Sequence, residues 1–178
     1  MYTILPMNKY LILDRDGTLI RHIHHLVDES LVSILDGVID GLNKFKSMGY
    51  RFGVITNQSV IAESNENLGK VFQINLKIID TLQSQNLLID FFKICPHSPS
   101  SKCLCRKPKT LLGEQAISEY NIDRSSSYMI GDQNSDIEFG IGLGLKTVLI
   151  GKPDFGEIAP TYSVQSILQA AHKIESGT

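Results

Sequence analysis

No apolar run in this sequence approaches the roughly 20 residues needed to span a bilayer, which argues against a helical membrane anchor. The stretch Met1–Lys9 lacks a basic region followed by an apolar core, and the apolar Tyr10–Leu13 is short and ends at Asp14. Neither a secretory signal nor an anchor is read there, so the expected location is the cytoplasm. An excess of one charge is also missing. Lys and Arg number 17 and Asp and Glu 19, a formal charge of −2. Neither nucleic acid nor a basic partner is implied by that balance. Cysteine is scarce, with only Cys95, Cys103 and Cys105. An odd, clustered set in a reducing compartment favours a metal over disulfides. No internal repeat or low-complexity linker is found.

The 178 residues, 42% hydrophobic and 20% charged, suit one folded domain over 1–178. The oligomeric state is left open, and a monomer is compatible with the composition. Short apolar runs alternate with amphipathic stretches. Strands are expected at Tyr10–Leu13, Phe52–Ile55, Ile89–Ile94, Tyr128–Ile130 and Thr147–Ile150. Helices are expected at Asp36–Met48, Leu112–Tyr120, Ile137–Leu143 and Val164–Ile174. A longer helix is marked by Leu68, Val71, Phe72, Leu76, Ile79 and Leu82 as its buried face. The segments Leu19–Leu35, Pro96–Leu104 and Gly151–Tyr162 are expected to be irregular. Alternation of this kind predicts an α/β fold, a parallel sheet with helices on both faces.

In such a sheet ligands bind beyond the carboxyl ends of the strands, and the polar clusters fall there. The first strand runs into Asp14-Arg15-Asp16-Gly17-Thr18, the second into Thr56-Asn57-Gln58-Ser59, the fourth into Gly131-Asp132-Gln133-Asn134-Ser135-Asp136. Asp14 and Asp16 share the two-residue strand repeat that puts both side chains on one side. Asp132 could join Asp14 on a hard cation, since Mg²⁺ takes one or two carboxylates and completes its shell with water and substrate oxygens. Thr56 and Asn57 supply neutral donors, and the pair Arg106-Lys107 supplies positive charge, a set suited to a phosphoryl group. A carboxylate attacking a phosphate meets a repulsion of roughly 4 kcal/mol for unit charges about 4 Å apart at an effective dielectric near 20. Mg²⁺ and Lys107 are the groups that would offset it.

Asp-Arg-Asp-Gly-Thr-Leu (14–19), Thr-Asn-Gln-Ser (56–59), Cys-Arg-Lys-Pro (105–108) and Gly-Asp-Gln-Asn-Ser-Asp (131–136) resemble, in order, the four motifs of haloacid-dehalogenase-like phosphatases. The resemblance runs from about Tyr10 to Gly151. It lies nearest the branch that contains heptose bisphosphate phosphatases and histidinol-phosphate phosphatase domains. It implies a Rossmann-like three-layer sandwich with strand order 3-2-1-4-5. It also implies Asp14 as the nucleophile that becomes an aspartyl-phosphate, and Asp16 as the acid that protonates the leaving oxygen and then activates water. Thr56 and Lys107 would hold the phosphoryl group. Asp14, Asp132 and the backbone carbonyl of Asp16 would bind Mg²⁺, with Asp136 behind them. Arg15, Asn57 and Arg106 are the expected substrate contacts.

Cys95-x-His97 and Cys103-x-Cys105 place three thiols and an imidazole in one short loop. That donor set makes a closed tetrahedral Zn²⁺ site, structural because it leaves no position for water. The loop runs straight into Arg106-Lys107, so zinc is expected to position the lysine. Only 37 residues separate Thr18 from Thr56, too few for a separate cap domain. An open site rimmed by the zinc loop and the 22–33 segment follows, suited to a small phosphate ester. A phosphorylated sugar of the heptose 1,7-bisphosphate type is the expected substrate, with histidinol phosphate the alternative. Heptose-type sequences usually carry Gly-Ile-Ala-Arg-Gly where this chain has Val60-Ile61-Ala62-Glu63-Ser64, which reverses a charge near the site. A zinc-stapled binding module without turnover is the other class to weigh. The joint presence of Asp14, Asp16, Lys107 and Asp132 argues against it.

Overall fold

The computed structural model describes residues 7–151 and 158–177. Its strands are β1 (Tyr10–Leu13), β2 (Arg51–Asn57), β3 (Ile89–Cys95), β4 (Tyr128–Gly131), β5 (Lys146–Ile150) and β6 (Tyr162–Val164). They form one sheet in the order β3-β2-β1-β4-β5-β6, and every pairing is parallel. All four residues of β1 are buried. A strand covered on both sides must be apolar on both, which is why this run does not alternate. The helices are α1 (Val38–Ser47), α2 (Asn65–Gln83), α3 (Leu111–Tyr120), α4 (Asn134–Gly142) and α5 (Ile167–Ser176).

The pleat of β1 divides the core in two. Leu11 and Leu13, with Val54, Ile130 and Val148, pack against α1, α2 and α5 through Leu42, Phe45, Ile74, Ile78 and Ala170. Tyr10 and Ile12, with Ile55 and Met129, pack against α3 and α4 through Ala116, Phe139 and Leu143. This is the expected three-layer sandwich. Between β1 and β2 the chain forms a loop, a 3₁₀ turn at Glu29–Leu31 and α1, with no cap domain. The loop is anchored by buried Leu19, Ile20 and Leu26 and by an isolated antiparallel bridge from Ile20 to Ile34.

The structure corrects several boundaries. The expected strand order gains a sixth strand, β6, where an irregular segment and then a helix from Val164 were expected. Three residues are too few to show a period, and α5 instead begins at Ile167, where Ser166 caps it by accepting from the Gln169 N–H. Helix α4 begins three residues early because Gln133 and Asp136 form a capping box. The buried face of α2 is also rotated from the expected one. Val71, Ile74, Asn75, Ile78 and Leu82 face inward, whereas Leu68 and Phe72 are more than half exposed. The expected irregular segment at 151–162 includes residues 152–157, and the stretch read for a signal includes residues 1–6. Both sets lie outside the described residues.

Gly41 lets α1 touch α5. A Cβ at this position would stand 2.6 Å from the backbone nitrogen of Leu168 and 2.7 Å from the carbonyl carbon of Ile167. Alanine in a helix gains up to about 1 kcal/mol over glycine from propensity. Overpacking against backbone costs about 1–3 kcal/mol, so the steric term should win. Gly41→Ala is expected to lower the melting temperature by several degrees, at about 2–4 °C per kcal/mol for a chain of this length. An unchanged or raised melting temperature would show that the two helices separate easily.

Candidate active site

The sheet register brings the polar clusters to one edge. Leu13 stands opposite both Val54 and Ile130, so Asp14, Thr56 and Asp132 leave three neighbouring strands together. Gly17 turns the chain away from β1 at φ +80, and a Cβ there would fall 2.2 Å from the Asp132 Oδ2. Only glycine allows this loop to lie against that carboxylate. The strand ends floor a cavity of about 390 Å³ lined by Asp14, Asp16, Thr56, Lys107 and Asp132, with His22, His24, His25, Pro99, Arg106 and Gln133 also on its wall.

Lys107 is 4% exposed. Its ammonium lies 2.6 Å from Asp14 Oδ1, 2.7 Å from Asp136 Oδ1 and 2.7 Å from the carbonyl of Ile55. The three donors of the ammonium are thereby used. Burial works against its charge, but the carboxylates of Asp136 and Asp14 outweigh that and raise its pKa. Asp136 spends its other oxygen on the backbone N–H of Gln133 at 3.1 Å. Burial raises the Asp136 pKa against the pull of Lys107.

Asp132 is different. Its Oδ2 accepts from the Gln133 amide at 2.8 Å, while its Oδ1 is buried without a hydrogen-bond partner. Burial, with the Asp14 charge adding, raises its pKa. Carboxylate oxygens of Asp14, Asp132 and Asp136 lie within 4.8 Å of one another. Asp14, Asp16, Asp132 and Asp136 line the pocket together with the cations Arg15, Arg106 and Lys107, so the lining keeps a formal negative excess of one. The orphaned oxygen and the all-oxygen donor set fit a hard cation.

The residues expected to touch substrate divide. Arg15 is 1% exposed and turned inward. Its Nε and Nη2 donate to Asp16 Oδ2 and Oδ1 at 2.8 and 3.1 Å, Nη2 also to Gln58 Oε1 at 2.8 Å, and Nη1 to Asn75 Oδ1 at 3.1 Å. Asn57 grips the backbone of Lys107 with both ends of its amide, accepting from the N–H at 3.0 Å and donating to the carbonyl at 3.2 Å. Arg106 remains half-buried at the wall, donating to the His97 carbonyl at 3.3 Å. Thr56 is buried, and its Oγ1 accepts from Gln58 Nε2 at 2.9 Å. The roles of Gln58 and Asn75 escaped the sequence reading. Gln58 sat unassigned inside a motif, and Asn75 was a polar residue among apolar neighbours on α2. Glu63, expected to disturb the site by its charge, is paired with His25 Nδ1 at 2.9 Å.

Cys95, His97, Cys103 and Cys105 converge, their ligand atoms all within 4.8 Å. Cys95 Sγ lies 3.8 Å from Cys103 Sγ, 3.3 Å from Cys105 Sγ and 3.6 Å from His97 Nδ1. A tetrahedron with metal–sulfur bonds of about 2.3 Å has edges of about 3.8 Å, so the cluster can close on one ion with little movement. Burial pushes the Cys95 thiol up to about 12. At Cys103 burial also pushes up, but backbone N–H groups of Arg106 and Cys105 outweigh it and bring the thiol down to about 6.

A parallel sheet with paired aspartates beyond its central strand, a buried lysine and further aspartates beyond the next strand is an arrangement suited to phosphate-ester chemistry. The comparisons with known proteins agree. A family model described as HAD-hydrolase-like matches residues 104–170. The D-glycero-beta-D-manno-heptose-1,7-bisphosphate 7-phosphatase of Haemophilus influenzae is 39% identical over 160 residues, 85% of this chain and 87% of that protein. The enzyme of the same name from Pasteurella multocida is 37% identical over 174 residues, 90% of this chain and 94% of that one. The histidine biosynthesis bifunctional protein HisB of Legionella pneumophila is 32% identical over 93% of this chain, which spans 47% of that longer protein. Among solved structures, the D,D-heptose 1,7-bisphosphate phosphatase of B. bronchiseptica, complexed with magnesium and phosphate, shares the fold. Its TM-score is 0.84 at 21% identity, over 96% of this chain and 99% of that one. The chain belongs to the haloacid-dehalogenase-like phosphatases.

Proposed function

We propose that this phosphatase hydrolyses a phosphorylated sugar, of the heptose 1,7-bisphosphate type, through an aspartyl-phosphate on Asp14. One observation carries the reading. Asp14 lies on the pocket lining with Lys107 against one oxygen at 2.6 Å, a carboxylate whose charge is held and aimed. Asp14, Asp132 and the backbone carbonyl of Asp16 would hold Mg²⁺, with Asp136 behind them, and the bound ion would offset the repulsion between carboxylate and phosphate.

A carboxylate oxygen of Asp14 attacks phosphorus and the ester P–O bond breaks. Asp16 gives its proton to the departing sugar oxygen. Asp16 then takes a proton from water, whose oxygen attacks phosphorus and breaks the bond to Asp14. Inorganic phosphate leaves, and the ester and one water have become alcohol and phosphate. Thr56 accepts from Gln58, so its own hydroxyl hydrogen is available to a phosphoryl oxygen. Lys107 contributes charge, and can trade its bond to Asp14 for one to the phosphoryl group as Asp14 becomes esterified. Arg106 is the cation on the pocket wall available to a second phosphate, with His22, His24 and His25 on the same wall.

The heptose reading is favoured by the relatives matched over nearly their whole length. Histidinol phosphate is the second reading, favoured by the 32% identity to HisB over 93% of this chain. Zn²⁺ is the ion proposed for the cysteine cluster, and a reducing compartment such as the cytoplasm would keep its thiols available.

A panel of heptose 1,7-bisphosphate, histidinol phosphate and an aryl phosphate, with Mg²⁺, tests the substrate. A contact to the second phosphate worth about 1.4 kcal/mol should favour the bisphosphate about tenfold in kcat/KM. Preference for histidinol phosphate would move the assignment to the second reading.

Protein purified without chelator should carry about one Zn²⁺ per chain. Its removal should raise KM for phosphate esters while far-ultraviolet circular dichroism changes little, because the sheet has its own core. Retention of zinc should weaken as pH falls, since binding must ionise the Cys95 thiol. Metal analysis that finds no thiolate-bound ion, or Cys105→Ser with unchanged metal content, would contradict the assignment.

A further inference from the structure

Asn75 lies on α2, 4% exposed, and is not among the residues that line the pocket. It faces the site only through another side chain. Its Oδ1 accepts from Arg15 Nη1 at 3.1 Å, at the corner of the guanidinium opposite the edge that holds Asp16. The guanidinium is planar and its donors diverge at fixed angles. Fixing Nη1 from α2 therefore fixes the orientation of the Nε and Nη2 edge. That edge, with Gln58 Nε2 at 2.8 Å from Oδ2, supplies three hydrogen bonds that set the plane of the Asp16 carboxylate.

The orientation of Gln58 is dictated by the same chain. Arginine has no acceptor, so the amide oxygen must face Arg15. The amide nitrogen then faces Asp16 and Thr56 together, at 2.8 and 2.9 Å. One anchor on α2 thus reaches both the acid–base carboxylate and the hydroxyl aimed at the phosphoryl group.

We propose that Asn75 is a positioning residue for the acid–base step, holding Asp16 through Arg15 in the plane from which it meets the leaving oxygen. The proposal rests on the assignment of Asp16 made above. It differs from a purely structural role in what it affects. Loss of a buried acceptor alone would weaken the fold and slow all substrates alike. Misplacing a general acid slows esters with poor leaving groups most, because aryl oxides depart without a proton.

The test is the single-turnover rate at which Asp14 is phosphorylated, read by rapid quench with a sugar phosphate and with 4-nitrophenyl phosphate. Asn75→Leu removes the acceptor at similar size. General acid–base help is typically 10²–10⁴-fold, so forfeiting part of it should slow the sugar phosphate about tenfold more than the aryl phosphate. Asn75→Asp keeps an acceptor for Arg15 and should restore the parent ratio within about twofold. Asp16→Asn should change the ratio in the same direction and further. If the leucine variant does not fold, Asn75→Ala carries the same expectation. Equal slowing of both substrates, or no slowing, would overturn the positioning role while leaving the phosphatase mechanism intact. A parent enzyme that forms no phosphorylated Asp14 would overturn both.

Discussion

A single buried ammonium organises the site. Lys107 bonds to Asp14 beyond β1, to the carbonyl of Ile55 in β2 and to Asp136 in α4, so it ties together three elements that converge at the strand ends. Taking these charges out of water is costly, and the cost is offset because the ammonium has three acceptors and Asp136 has a further donor in the Gln133 N–H. Removing one member of such a group leaves an uncompensated buried charge, typically at a cost of about 3–5 kcal/mol. The arrangement therefore sets where the carboxylate of Asp14, the nucleophile proposed above, sits.

That lysine belongs to a loop, and the loop needs outside support. Cys105 lies two residues before it, inside the cluster with Cys95, His97 and Cys103. Asn57 closes on the Lys107 backbone from β2 with two hydrogen bonds. A metal on the cysteine cluster would fix the segment from one side, and the sheet holds it from the other. A long loop carrying an active-site cation would otherwise move with its surroundings, and its charge would not be held 2.6 Å from Asp14. Asp16 has a separate support, running from α2 through Arg15. The two supports meet at the end of β2, where Asn57 holds Lys107 and the next residue, Gln58, holds Asp16.

Much of this was legible in the sequence because the relevant signals are local. Buried parallel strands appear as unbroken apolar runs, and glycine beside aspartate at a strand end marks a tight turn toward a ligand. Spaced cysteines and a histidine in one loop carry their donor chemistry openly. What was not legible depends on contacts far apart in the chain. The inward face of α2 differs from the expected one because two apolar stripes compete on that helix and the buried stripe includes the polar Asn75. Its partner Arg15 lies 60 positions away, and only folding reveals that Arg15 needs a buried acceptor there. Arg15 and Asn57 line the pocket, and the motifs alone do not reveal their hydrogen bonds to Asp16 and to the Lys107 backbone. The strand β6 was missed because three residues at a sheet edge show no period, and the start of α4 because a reciprocal cap extends the helix past its apolar residues.

In the mechanism proposed above, the carboxylate of Asp14, held by Lys107, accepts the phosphoryl group. The most direct measurement is acid quench of the enzyme during turnover of a ³²P-labelled sugar phosphate, followed by digestion and mass-spectrometric mapping of the label. Label is expected on the peptide that contains Asp14, borne by that aspartate and lost in Asp14→Asn. Label on another residue, or steady turnover with no labelled peptide and an active Asp14→Asn variant, would contradict it.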